Sequence, residues 1–303
     1  MRISTRKNQM NQHPKYIFWE GARRVFFLFS CIFGLPFLSA GELGFIEAAD
    51  TSSTATPILP GTNDFVSLAE NSNLEKPGTF YALDSGGRIN WVLRIGDRWH
   101  ADFLQEGQFS SIKAFADGSG FLFALSGDAI YQVGWLGKWN TSKLVEGKYR
   151  AISSNYMEGQ TAACYAVTED GGIVLVGFDS NANCWAEVPV LSGDYIDIVQ
   201  LPSEGHPIYA LREDGGIDRV ALSASDGKWR SRSVLDGKYQ RLLCAGVDAA
   251  RTESLLILNE KGESELVSFD GDTCQTSPVN VANIVAATAK PDKPPGYFVI
   301  TSP

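Results

Sequence analysis

The sequence is poor in histidine and lacks the common catalytic and cofactor motifs. Only three of its 303 residues are histidine, and only His100 and His206 lie after residue 41. A zinc site of three histidines cannot form from two, and no spacing supports a mixed metal site. No Gly-x-Ser-x-Gly, His-Glu-x-x-His or phosphate-loop pattern occurs. We expect a non-catalytic protein without metal or cofactor. A propeller hydrolase or lyase is the alternative, although nothing selects one carboxylate pair for glycoside hydrolysis.

Basic residues are scarce once the N-terminal segment is set aside. The whole chain has a net charge of −9, but residues 1–41 contain six basic residues and one acid. Residues 42–303 therefore carry 20 basic and 34 acidic residues, a net charge of −14. Nucleic acids and anionic polysaccharides bind to basic surfaces. The charge therefore argues against both as partners, and we expect no nucleic-acid binding.

The longest apolar run is too short for a typical membrane helix. It covers the 14 residues 25–38, VFFLFSCIFGLPFL, and follows a basic segment. Small residues at 39–41, Ser-Ala-Gly, suit cleavage before Glu42. We predict that residues 1–41 are a signal peptide and that the mature chain has no membrane span and is secreted or periplasmic. An uncleaved anchor is the less favoured alternative.

Cysteine is also sparse, with four residues after the predicted leader: Cys164, Cys184, Cys244 and Cys274. An oxidising compartment favours pairing of an even number of cysteines. The strand assignment below separates the nearest two, Cys164 and Cys184, by an intervening strand, at about 9.6 Å. That exceeds the usual reach of a disulfide. We expect buried free thiols, unless a displaced loop brings Cys184 to Cys164.

Sustained helical periodicity with caps is missing as well, and a repeat of about 45 residues takes its place. One slot of the repeat recurs at steps of 40, 46, 44 and 45 residues, at Trp99, Trp139, Trp185, Trp229 and Cys274. About ten residues later comes an aromatic residue, usually within Gly-x-Tyr, as at Gly147 to Tyr149. A repeat of this length indicates a modular fold in which each unit is one supersecondary structure.

Each unit contains four short segments that are typical of β-strands. The apolar segment FYAL at residues 80–83 is followed by Gly86 and Gly87, and the same pattern leads to Gly171 and Gly172. Glycine adopts the positive φ that tight hairpins require. Four antiparallel strands in about 45 residues make one propeller blade.

The two ends of the chain supply the strands of one further blade. Residues 43–47 and 57–61 match strands 3 and 4 of the repeat, whereas residues 281–287 and 297–301 match strands 1 and 2. Pairing of these ends would close the ring and remove its open sheet edges. We therefore predict an all-β, six-bladed β-propeller over residues 42–303, with a closing blade built from both termini.

The repeat resembles the tectonin-type propeller repeat. Tyr149 to Ile152 is similar to the first strand of that family, Ala129 to Tyr131 to its third strand, and Gly137 to Trp139 to its Gly-x-Trp element. Strand 2 departs from the family, with Tyr-Ala-Leu in place of Trp-Gly-Val. The resemblance implies a lectin or another recognition module.

Aromatic platforms with polar neighbours are the candidate ligand sites, because sugars stack on aromatic rings and bind polar groups through their hydroxyls. The candidates are Trp99, His100, Trp139, Asn140, Trp185, Trp229, Arg230 and the non-periodic Trp91 and Trp135. The competing interpretation is that a tryptophan repeated in each blade packs between blades. We predict a carbohydrate-binding module that is multivalent if the sites recur, with an extracytoplasmic protein-interaction scaffold as the alternative.

Two further features should separate these functions. The loops between strands 1 and 2 vary in sequence and share one face, which suits a protein partner: 116–120, 155–161, 202–207, 247–253 and 290–296. A central channel with clustered carboxylates and a His or Arg would favour an enzyme. A closed apolar channel with Trp-lined pockets between blades would favour a lectin.

Overall fold

The computed structural model describes eleven parts of the chain, and the statements below concern these parts alone. They are residues 43–47, 56–59, 65–71, 79–157, 162–202, 206–247, 253–270, 273–279, 281, 284–290 and 296–301. All of them fall within one compact unit, Pro36–Pro303. The predicted signal peptide lies outside the described residues and stays a prediction.

The described residues form six four-stranded antiparallel sheets, so the predicted all-β six-bladed propeller is confirmed. Blade 1 contains β3–β6, at Phe65–Glu70, Phe80–Asp84, Ile89–Ile95 and Arg98–Gln105. Blade 2 contains β7–β10, at Phe109–Ala114, Leu122–Ser126, Ala129–Trp135 and Trp139–Glu146. Blade 3 contains β11–β14, at Tyr149–Ser154, Cys164–Thr168, Ile173–Asp179 and Cys184–Leu191. Blade 4 contains β15–β18, at Tyr195–Gln200, Ile208–Arg212, Ile217–Leu222 and Trp229–Leu235. Blade 5 contains β19–β22, at Tyr239–Val247, Glu253–Asn259, Ser264–Asp270 and Thr273–Pro278.

The closing blade combines strands from both ends of the chain, as predicted. Its strands are β1, β2, β23 and β24, at Leu43–Glu47, Thr56–Leu59, Ile284–Lys290 and Gly296–Thr301. They lie in the order β2-β1-β24-β23. The register places the Cα of Leu43 opposite that of Ile300. The N-terminal strands therefore complete the sheet that the C-terminal strands begin.

The glycine turns join each blade to the next. Gly171 and Gly215, in the turns between strands 2 and 3, have φ of 88° and 90°. A Cβ on Gly215 would lie 2.8 Å from the Cα of Lys238 and 3.0 Å from the Tyr239 nitrogen. That nitrogen donates a 3.0 Å hydrogen bond to the Gly215 carbonyl, and Tyr195 bonds Gly171 in the same way. The repeated glycine turn and the repeated Gly-x-Tyr are thus two halves of one contact.

The hydrophobic core is divided into six clusters, one at each blade interface. The cluster between blades 1 and 2 includes Tyr81 and Leu83 from one blade and Ile112 and Leu122 from the other. Two further clusters join the closing blade to blades 5 and 1. Burial of apolar surface between blades, at about 25 cal/mol per Å², therefore stabilises the ring across every interface.

Candidate functional site

Three of the repeated tryptophans pack against an aromatic ring of the preceding blade. Each partner is the second residue of strand 2 in its blade. Ring centroids are 6.3 Å apart for Tyr81 and Trp139, 6.4 Å for Phe123 and Trp185, and 5.9 Å for Tyr165 and Trp229. The planes meet at 78–83°, an edge-to-face arrangement. The interpretation that the repeated tryptophans pack between blades is confirmed for these three.

Trp99 also packs at a blade interface, but its ring partner belongs to its own blade. Its ring lies 5.8 Å from that of Phe80 in its own blade, and it packs against the cluster that contains Ala286 and Ile300 of the closing blade. All four repeated tryptophans are half-buried. Each ring therefore has one edge in an interface and another at the rim of a groove between blades.

The residue after each tryptophan does not share its groove. Successive side chains of a strand point to opposite faces of the sheet. Since Trp99 packs toward the closing blade, His100 lies on the face of blade 1 that is turned toward blade 2. Asn140 by the same argument faces blade 3, and Arg230 faces blade 5. All three residues are exposed. A groove therefore combines the tryptophan of one blade with the polar residue of the preceding blade.

The groove between blades 1 and 2, here called the aromatic groove, gathers three of the predicted tryptophans. Trp91 from blade 1 and Trp139 from blade 2 pack on the same buried cluster. Trp135 lies opposite Trp139 in the strand register, and their rings are 6.1 Å apart at 69°. Trp135 is 61 % exposed. The aromatic groove thus has a buried aromatic floor and one ring presented to solvent.

Polar groups line the same groove. His100 and Asp102 of blade 1 are the cross-strand neighbours of Leu93 and Trp91, and both are exposed. Thr141 of blade 2 lies two residues after Trp139 and so on the same face. Its buried hydroxyl has no hydrogen-bond partner among the residues that the structure describes. An imidazole, a carboxylate and a hydroxyl therefore lie on the strand faces that turn toward this groove, which suits a ligand with both apolar faces and hydroxyl groups.

Asp102 and Thr141 were not among the candidates from the sequence. The signal for them is the period of two along a strand, which places residues i and i+2 on one face. The recurring aromatic residue of strand 2, such as Tyr81, was also missed as the partner of the next blade's tryptophan. Its signal is the repetition of Tyr or Phe in that slot of four consecutive blades.

The groove between blades 2 and 3 is the second aromatic site. Phe178 is 54 % exposed, and its ring lies 6.1 Å from that of Trp185. Asn140 of blade 2 faces this groove. By contrast, the predicted residue Arg230 already forms a 2.6 Å ion pair with Asp226 of its own hairpin. In the described residues, these two grooves are the ones in which an exposed aromatic ring makes a ring contact with a repeated tryptophan.

The four cysteines after residue 41 are free thiols. Cys164 and Cys244 are buried, and burial raises the pKa of both thiols. Cys184 and Cys274 are exposed, so the expectation of burial is wrong for these two. Both lie in the outermost strand of a blade, where the sheet meets solvent. The pattern of buried and exposed thiols follows strand position within the blade.

A cavity of about 300 Å³ lies among the first strands of all six blades. Its wall is polar rather than apolar and includes Lys113, Asp197 and Arg241. Asp197 is the only carboxylate among the described lining residues, and no histidine is among them. The described lining therefore has neither the clustered carboxylates that would favour an enzyme nor the apolar wall that would favour a lectin. Trp-lined grooves between blades are present.

No His, Cys, Asp and Glu side chains form a cluster able to hold a metal ion within the described ranges. The same ranges contain no helix with the length and apolar content that crossing a membrane requires. The variable loops between strands 1 and 2 lie partly outside the described residues, so their predicted role as a docking face stays a prediction.

Comparisons with known proteins support the fold. No family model and no curated protein sequence matches the chain. Among solved structures, AofleA from Arthrobotrys oligospora is 14 % identical with a TM-score of 0.58, covering 77 % of this chain and 78 % of that one. The fungal lectin of Aleuria aurantia, described as a six-bladed β-propeller with a novel fucose recognition mode, is 13 % identical with a TM-score of 0.53 over 76 % and 84 %. YCF48 bound to D1 peptide is 16 % identical with a TM-score of 0.50 over 89 % and 94 %.

Proposed function

We propose that this chain is an extracytoplasmic, non-catalytic carbohydrate-binding module and that the aromatic groove is its main site. The observation that carries the proposal is the exposed ring of Trp135, set against Trp139 and beside the polar groups His100, Asp102 and Thr141. Aromatic faces bind the C–H faces of sugars, and a few placed polar groups fix their orientation. The groove between blades 2 and 3 gives a second, weaker site.

Fucose-containing glycans are the first ligands to test. Support comes from the Aleuria aurantia lectin, a structural neighbour whose propeller recognises fucose. At 13 % identity the likeness extends to the fold and not to the choice of sugar, so fucose is part of the proposal. The net charge of −14 after residue 41 favours neutral over anionic glycans. Two sites on one chain would make binding to clustered glycans bivalent.

The test is a glycan array followed by titration of Trp135→Ala. Trp135 is exposed, so the variant should fold normally and lose about tenfold or more in affinity, the loss of 1.4 kcal/mol or more from one stacking ring. Phe103→Ala is the matched control, because Phe103 is 60 % exposed on the other face of blade 1. Wild-type protein that binds no glycan, or equal losses in the two variants, would contradict the proposal.

A protein-interaction scaffold is the second candidate function. It is favoured by the likeness to YCF48 bound to D1 peptide, which covers 89 % of this chain. Exposed apolar side chains at the hairpins between strands 3 and 4, including Ile95 and Leu136, could contact such a partner. Under this function Leu136→Ala would weaken capture of a protein partner. Neither the wild type nor Trp135→Ala would bind glycans.

A further inference from the structure

A hydrogen bond between non-adjacent blades crosses the channel near one end. The Tyr156 hydroxyl, just after the first strand of blade 3, donates a 2.9 Å hydrogen bond to Oε1 of Glu70 at the end of the first strand of blade 1. These two residues lie on the side of the loops between strands 1 and 2. On the opposite side, where the first strands begin, the lining residues Arg150 and Arg241 are exposed, so this side provides the approach to the cavity of about 300 Å³.

Lys113 projects into this cavity without a direct partner. It has no hydrogen bond or ion pair to any residue that the structure describes, and it is only partly buried because the cavity reaches it. Burial lowers the pKa of its ammonium group, which is opposed by the charges of Asp197 and Glu70. A desolvated ammonium group without a hydrogen-bond acceptor is an unfavourable arrangement that a bound anion would relieve.

The carboxylates near Lys113 are already used as acceptors. Asp197 accepts 2.9 Å hydrogen bonds from the backbone nitrogens of Leu242 and Ile198, which ties blade 4 to blade 5. Burial raises the pKa of Asp197, and it also raises that of Glu70, which accepts from Tyr156. Both acids therefore serve the scaffold, and neither forms an ion pair with Lys113.

The approach to the cavity is basic. Arg150 and Arg241 line it toward the start of the first strands, and Arg241 is exposed. Together with Lys113 they make three cations against the single carboxylate of Asp197 in the described lining, within a chain of net charge −9. A low-dielectric cleft lined by one sign of charge focuses the field and draws in ions of the opposite sign.

We propose that the central channel binds a small oxyanion, a carboxylate or a phosphate, through Lys113 and Arg241. A cavity of about 300 Å³ lies at the lower limit for small-molecule sites, so the ligand is a small molecule and not a polymer. Ser111 in the same wall supplies a neutral hydroxyl group for the rest of the ligand. The site is independent of the aromatic groove.

Isothermal titration of the full chain with inorganic phosphate and, separately, with succinate at matched ionic strength tests this proposal. We expect saturable binding of at least one anion. The anion that binds more tightly shows whether the site prefers a phosphate or a carboxylate. Lys113→Met should weaken binding about tenfold or more, since the anion loses a hydrogen bond to a charged group. Lys228→Met removes an exposed lysine from a hairpin and should leave affinity within about twofold.

Folding and binding are separated by thermal denaturation of the same variants. Lys113→Met removes a poorly paired charge, so its unfolding temperature should equal or exceed that of the wild type. Arg241→Gln, at the exposed approach, gives a second binding variant should Lys113→Met fail to fold. Absence of saturable binding of both anions to the wild type, or wild-type affinity in Lys113→Met and Arg241→Gln, would overturn the proposal.

Discussion

Two blade interfaces obtain their inward aromatic ring from different strands. They are the interface between blades 1 and 2 and that between blades 4 and 5. Between blades 1 and 2, Trp139 of strand 4 packs inward on Tyr81, whereas its cross-strand neighbour Trp135 of strand 3 is 61 % exposed. Between blades 4 and 5, strand 3 supplies the inward ring. Phe269 is 8 % exposed and stacks on Tyr209 at 4.9 Å and 25°, and its neighbour Cys274 is exposed.

Each of these two interfaces thus has one inward aromatic ring, and either member of the cross-strand pair can provide it. The other residue of the cross-strand pair does not have to pack in the interface. In blade 5 it is a small thiol, and in blade 2 it is a second tryptophan. A large apolar ring kept at 61 % exposure contributes little to folding, which is why we assign Trp135 to ligand binding.

Removal of the inward ring of blade 5 should have the largest effect. Phe269→Ala leaves a cavity against Tyr209, and we expect a loss of about 3–5 kcal/mol in the free energy of unfolding. Trp135→Ala, in the outward position, should change it by about 0.5 kcal/mol or less. Urea denaturation of both variants measures the difference. Similar losses of unfolding free energy in the two variants would mean that packing does not distinguish the inward ring of Phe269 from the outward ring of Trp135.

Removal of the inward ring of blade 2 should combine two effects. Trp139→Ala should cost about 2 kcal/mol, less than a fully buried tryptophan because half of the ring is already near solvent. It should also abolish glycan binding at the aromatic groove, since Trp135 loses the ring that it rests on. Trp139→Phe is the matched control and should restore most of the stability, as Phe269 does in blade 5. If Trp139→Ala bound glycans as tightly as the wild type, Trp139 would not be part of the binding site.

The fold could be predicted from the sequence because repetition makes each blade a copy of the others. The closing blade follows in the same way, because residues 43–47 and 297–301 align with complete units. The sequence does not reveal the exchange in blade 5, because Cys274 occupies the tryptophan slot and Phe269 lies one strand earlier. Whether a ring turns inward depends on the facing blade, about 45 residues away in sequence, and not on its neighbours along the strand.

The composition of the grooves was hidden for a related reason. The sequence places His100 beside Trp99, but the pleat turns the two to opposite faces, and His100 joins Trp139 from the next blade. Lys113 was not singled out at all. Its signal is a lone charge in the first strand of blade 2. That charge becomes informative only when the structure shows that the first strands of six blades surround one cavity.

Replacement of the outward residue of blade 5 should have the smallest effect. Cys274 is exposed and its Sγ lies 3.8 Å from the Val234 carbonyl oxygen, so Cys274→Ser should change the free energy of unfolding by about 0.5 kcal/mol or less. Labelling of native protein with a thiol reagent should show the variant losing one fast-reacting thiol. Cys164 should react only on unfolding, because burial both shields its thiol and raises its pKa. A loss above about 1 kcal/mol in Cys274→Ser would show that Cys274, and not Phe269, has taken over the packing role of the missing tryptophan.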